Sequence, residues 1–122
     1  MTEMIYCYTR TQAIADGVLV DVAPLAHEAG FQIPVAVTRS VWERCIAIPH
    51  EVTDQDEAGR LWDILVCLTF AVRRAGKDTN QVAFRVGVRN RPHLVEEVKL
   101  CAVCGPGDTG EPVLTVMFPD ED

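Results

Sequence analysis

The strongest constraint on this chain is a change of hydrophobic period near Gly76. Ahead of it, Thr53 and Asp54 offer helix N-caps, Asp56 and Glu57 fall in the positive first turn, Arg73 and Arg74 in the negative last turn, and Gly76 supplies a stop. This predicts a helix over about 55–75. Ala58, Leu61, Trp62, Leu65, Leu68 and Val72 share one face at helical spacing, while Ile64, Val66, Phe70 and Ala71 cover much of the other. A helix apolar nearly all round in its second half is expected to be buried on more than one side, with Trp62 in the core. After Gly76 the period becomes two: Val82, Phe84, Val86 and Val88 alternate with Ala83, Arg85, Gly87 and Arg89, the pattern of a half-exposed strand. Asn90-Arg91-Pro92 turns the chain, residues 94–103 read as a second strand, the glycine-rich 105–110 as a loop, and 112–118 as a third strand. Three consecutive strands with short connections make an antiparallel meander, and the long helix is its lid. The expected fold class is α+β.

The first half alternates quickly between short elements. Residues 5–8 are a short β-prone run; Thr9 with Gln12 has capping-box spacing and would open a brief helix closed by Gly17. Val18, Leu19 and Val20 suggest a strand. A helix over 21–29 follows, with Pro24 in its first turn and Gly30 just past its end. Val35, Ala36 and Val37 suggest a third strand, and Thr38 caps a helix carrying Val41, Trp42, Cys45 and Ile46, which Pro49 ends. No repeat or linker interrupts the chain, so one domain is expected over 1–118 with an acidic tail at 119–122.

Length and composition narrow the functional classes. A chain of 122 residues that is 48% hydrophobic and 24% charged is that of a self-sufficient globular domain. The longest uncharged apolar stretch, 64–72, is far short of the roughly 18 residues that cross a bilayer, so no membrane association is expected. Five cysteines with no secretory signal suggest reduced thiols and a cytoplasmic protein. A net charge of −7 repels phosphate, so duplex nucleic acid is not an expected partner, although Arg73, Arg74, Lys77, Arg85, Arg89 and Arg91 leave room for a local basic face.

Candidate chemistry is sparse. Cys101 and Cys104 form a C-x-x-C, a pattern used for zinc or thiol redox work, but no second pair completes a tetrahedral site. Residues three apart on a strand point to opposite faces, which favours two separate free thiols. The loop at 105–110 lacks the lysine of a phosphate cradle and leads into a strand rather than a helix start. His27, His50 and His93 are isolated, and Ser40 is the only serine, which excludes a serine hydrolase of the usual kind. Trp42 and Trp62 read as core aromatics before they read as a stacking platform. No cofactor and no metal are expected.

Two resemblances add to this. Tyr6, Tyr8 and Arg10, then Ile14, then Asp16-Gly17-Val18-Leu19 resemble the opening of ADP-ribosyltransferase-like domains. That resemblance implies a small NAD-dependent enzyme in which Tyr8 and Arg10 face nicotinamide and a late glutamate, Glu111, completes the site. Tyr8-Thr-Arg-Thr-Gln-Ala, Glu28-Ala-Gly-Phe31, Pro34-Val-Ala-Val-Thr38, Gly59-Arg-Leu-Trp-Asp63, Gly105-Pro-Gly-Asp108 and Gly110-Glu-Pro-Val113 resemble, over nearly the whole chain, an uncharacterised family of small acidic bacterial proteins often encoded on plasmids and integrative elements. This second resemblance implies a bacterial, mobile-element setting and carries no catalytic residues. Together with the acidity it favours a non-enzymatic protein-binding factor, an inhibitor of a host nucleic-acid-binding or defence protein, with the transferase as the alternative.

Overall fold

The computed structural model describes residues 8–76 and 79–121. The expected strand at 5–8 lies outside these apart from Tyr8, which has no regular structure. Helix α1, Arg10–Ala15, opens with the capping box: the Thr9 side chain accepts from the Gln12 amide, and the Gln12 side chain accepts from the Thr9 amide. Gly17, at φ +80, turns the chain out of α1 into β1, Leu19–Asp21. Helix α2, Ala23–Glu28, carries Pro24 at its start, and β2 is Val35–Thr38. The Thr38 hydroxyl accepts from the Val41 amide and caps α3, Arg39–Val41, which runs directly into a π-helical turn, Trp42–Ile46. The long helix α4 spans Glu57–Ala75. Its N-cap is Asp56, whose carboxylate accepts from the Gly59 amide, so the helix starts slightly later than Thr53 and Asp54 suggest. The strands β3 (Gln81–Arg91), β4 (Leu94–Pro106) and β5 (Pro112–Met117) form the expected antiparallel meander.

The short N-terminal strands extend that same sheet. Its order is β1-β2-β5-β4-β3, with β2 parallel to β5 and the other neighbours antiparallel. Val20, Val37, Val116, Ala102 and Val82 form one register row across all five strands, and all lie in or against the main core. Onto that face α4 lays Leu61, Ile64, Leu65, Leu68 and Ala71, joined by Val41, Cys45 and Ile46 from the turn after β2 and by Ala26 of α2. The opposite face, where Ala36, Thr115 and Val103 are in register, meets α1. Glu121 folds back near the end of the chain, its carboxylate accepting from the Thr38 hydroxyl at 2.9 Å and the Phe118 amide at 2.7 Å.

The expectation for α4 needs one correction. Trp62 is 39% exposed and Phe70 57%, so the second half of the helix is not buried on several sides. A single sheet supplies one surface for α4, and no further layer covers the outer side among the described residues. Leu61, Leu65 and Leu68 of the expected core face are buried, whereas Ala58 and Val72 are exposed and Trp62 points outward beside the half-buried Val66.

Candidate functional site

Of the residues of the transferase resemblance, Arg10 and Glu111 lie near each other at a seam between α1 and the β4–β5 loop, while Tyr8 turns to Asp16 at the far end of α1. Arg10 extends its guanidinium to the sheet, Nη1 donating to Thr115 Oγ1 at 2.8 Å and Nη2 to the Leu114 carbonyl at 2.9 Å. Burial lowers the Arg10 pKa from its ordinary value, while the nearby carboxylates of Asp21, Asp108 and Glu111 pull it back up. Tyr8 donates its hydroxyl to Asp16 at 2.7 Å. Glu111 turns to the Thr109 hydroxyl at the mouth of the hairpin, and its carbonyl accepts from the Gly107 amide at 2.6 Å. The Glu111 carboxylate lies where a Cβ on Gly107 would stand, so a larger residue there would displace that side chain.

Asp108 is the member of this seam that the sequence does not reveal. Its carboxylate accepts from the Arg10 amide at 2.7 Å, the Thr11 amide at 3.0 Å and the Thr11 hydroxyl at 2.6 Å. Those groups are the free donors of a helix start, where an anion is favoured by both hydrogen bonding and the helix dipole. The Thr11 hydroxyl, then the two amides, hold the Asp108 pKa below the usual carboxylate range. A loop that looks like a simple hairpin turn is therefore also the clamp that seats α1, a role the spacing of 105–110 gives no hint of.

Cys101 and Cys104 lie on opposite faces of β4: Cys101 is buried and accepts from the Gln81 side-chain amide at 3.1 Å, while Cys104 packs against the α4-side core. Among the described residues no group of three His, Cys, Asp or Glu side chains is placed to hold a metal ion. Burial raises the Cys45 and Cys67 thiols, which disfavours the thiolate a nucleophile or metal ligand needs.

A second constellation gathers at the N-terminal end of α4. Arg60, only 6% exposed, donates from Nε to the Cys45 carbonyl at 3.0 Å, from Nη1 to the Ala47 carbonyl at 3.1 Å and from Nη2 to Asn90 Oδ1 at 2.6 Å. Asn90 in turn donates to the Arg44 carbonyl at 2.7 Å. Arg60 thus satisfies the carbonyl end of the π-helical turn and ties it to α4 and β3. Beside it opens a hollow of about 600 Å³ lined by Asp54, Asp56, Gly59, Arg60 and Asp63. Arg89 pairs with Asp54, and Arg85 with Glu97 at 3.6 Å, so these two residues of the suspected basic face have acidic neighbours.

Next to that hollow the outer face of α4 presents Trp62, Val66 and Phe70 in successive turns, a stripe with no covering layer among the described residues. Arg73 and Arg74 follow at its far end, exposed and without an ion pair among the described residues. The stripe thus carries two exposed aromatic side chains, with acidic residues at one end and basic residues at the other.

No helix among the described residues is long and apolar enough to cross a membrane. No curated protein and no solved structure matches the chain. A family model does, over residues 1–122, and the chain belongs to that family of unknown function, DUF6573.

Proposed function

We propose that this chain is a non-enzymatic protein-binding factor with a docking surface on the outer face of α4, and that it serves as an accessory of a bacterial mobile element against a host nucleic-acid-binding or defence protein. The observation that carries the docking reading is the stripe of exposed Trp62 and Phe70 about the half-buried Val66. Two aromatic rings held in water on a rigid helix have a standing hydrophobic cost that association removes. The acidic hollow adds a receptor for a cationic side chain, in the manner of a phosphate surrogate. The mobile-element setting rests on the resemblance of the whole chain to small acidic bacterial proteins, and the preference for protein over duplex nucleic acid on its net charge of −7.

Binding is favoured over the transferase alternative because the groups that alternative needs have structural partners. Arg10 is held by Leu114 and Thr115, Tyr8 donates to Asp16, and Glu111 braces the hairpin mouth. An enzyme of that class needs side chains aimed at a reacting centre.

A photo-reactive residue placed at Phe70, in cell extract, tests the docking reading. It is expected to give a protein–protein adduct that the same residue at the exposed Thr109 does not give. Absence of any adduct at position 70 overturns the reading. Calorimetric titration with nicotinamide dinucleotide is expected to show no heat of binding; saturable binding abolished by Glu111→Gln would make the chain an enzyme.

A further inference from the structure

We propose that the occupant of the α4 outer face is a second copy of this chain, the two helices lying antiparallel about a two-fold axis at Val66. The proposal rests on the reading of that face as a docking surface and names the partner. Any mobile-element role then belongs to the dimer.

A surface that docks on its own copy must be self-complementary under a two-fold rotation. Trp62 and Phe70 stand one helical turn before and after Val66 on the exposed side of α4. Reversing a second helix over the first sets each Trp62 against the Phe70 of the other copy and Val66 against Val66. Trp and Phe are the side chains that anchor such contacts most effectively.

The charges obey the same symmetry. Gly59 and Arg73 are seven positions either side of Val66, so Arg73 of the second copy arrives over Gly59, which has no side chain to exclude it. Gly59 lines the acidic hollow between Asp56 and Asp63. Arg73 and Arg74 at one end, and Asp56 and Asp63 at the other, form no ion pair among the described residues. An antiparallel pair joins these ends twice, once at each end of the interface. A parallel pair would set arginine on arginine and aspartate on aspartate, and would also align the helix dipoles unfavourably. The 19 residues of α4 extend about 28 Å, which gives a modest interface and an affinity in roughly the micromolar range.

Sedimentation equilibrium of the full chain from about 1 to 500 μM reads this directly. The expected result is a monomer–dimer equilibrium that Phe70→Glu weakens by about tenfold or more. Arg73→Glu combined with Arg74→Glu weakens it as well, and mixing that variant with Asp63→Arg restores a mixed dimer. Val66→Cys in a Cys67→Ser background forms an intermolecular disulfide on mild oxidation. An unchanged far-ultraviolet circular dichroism spectrum and thermal melt at low concentration confirm that each variant folds. A monomer throughout the range overturns the proposal, as does a dimer indifferent to Phe70→Glu or to the charge reversals. The two readings fail separately: an adduct from Phe70 to a different protein, with the chain monomeric, removes the second copy as occupant and leaves the docking face, whereas no adduct at all removes both.

Discussion

On its inner face α4 carries Leu61, Ile64, Leu65, Leu68 and Ala71, all buried against the sheet; on its outer face Trp62, Val66 and Phe70 are exposed or half-buried. The two sets are interleaved in one helix, and by composition the outer one is the more aromatic. What separates them is the supply of partner surface. The sheet meets α4 along one side, and among the described residues no element lies over the other. Apolar residues on both sides of a helix therefore mark two surfaces, of which one is covered among the described residues.

The contrast is broken or sharpened most strongly by truncating a side chain on the inner face. Leu68→Ala should cost about 3 kcal/mol, from lost transfer energy and the cavity left behind, measured by urea unfolding at low protein concentration. Arg60→Met should follow at about 2 kcal/mol, because the Cys45 and Ala47 carbonyls and the Asn90 amide lose their donor in a buried setting. Trp62→Ala, on the outer face, should cost under about 1 kcal/mol, and Phe70→Glu should lie within about 0.5 kcal/mol of the parent. A Trp62→Ala loss equal to that of Leu68→Ala would erase the distinction between the faces.

The smallest effect concerns the seam between α1 and the β4–β5 loop. The folded-state pKa of Asp108 is depressed below its unfolded value, chiefly by the Thr11 hydroxyl and then by the Arg10 and Thr11 amides. Its stabilising contribution is thus fully present above the ordinary aspartate value of about 3.9 and is lost as pH falls through the lower folded value. Amide hydrogen exchange in α1 should accelerate relative to that in α4 as acid is added. In Asp108→Asn the exchange of α1 should be faster already at neutral pH and should lack that step, an outcome that an uncoupled loop would not give.

Much of the local structure was legible because it is governed by neighbours in sequence. The capping box at Thr9 and Gln12, the glycines that close the first two helices, the cap at Thr38 and the alternation of β3 all depend on groups a few residues apart. The candidate sites were less so. Glu111 could be placed at a hairpin mouth from its glycine-rich surroundings, but nothing near Asp108 announces that it caps a helix at the other end of the chain. Arg60 looks like one more charge on a helix until the π-helical turn and Asn90 close around it.

By itself the sequence determined the fold class, the long helix, the meander and the opposite facing of Cys101 and Cys104, since each follows from a short period or a cap whose energy is local. Only the tertiary structure decided that β2 lies parallel to β5 and completes a five-stranded sheet, that Asp108 seats α1, and that Trp62 faces outward. These depend on which surfaces meet across long separations, where hydrophobic burial is non-directional and any apolar face is an equally good candidate until the chain's limited partner surface has been used up.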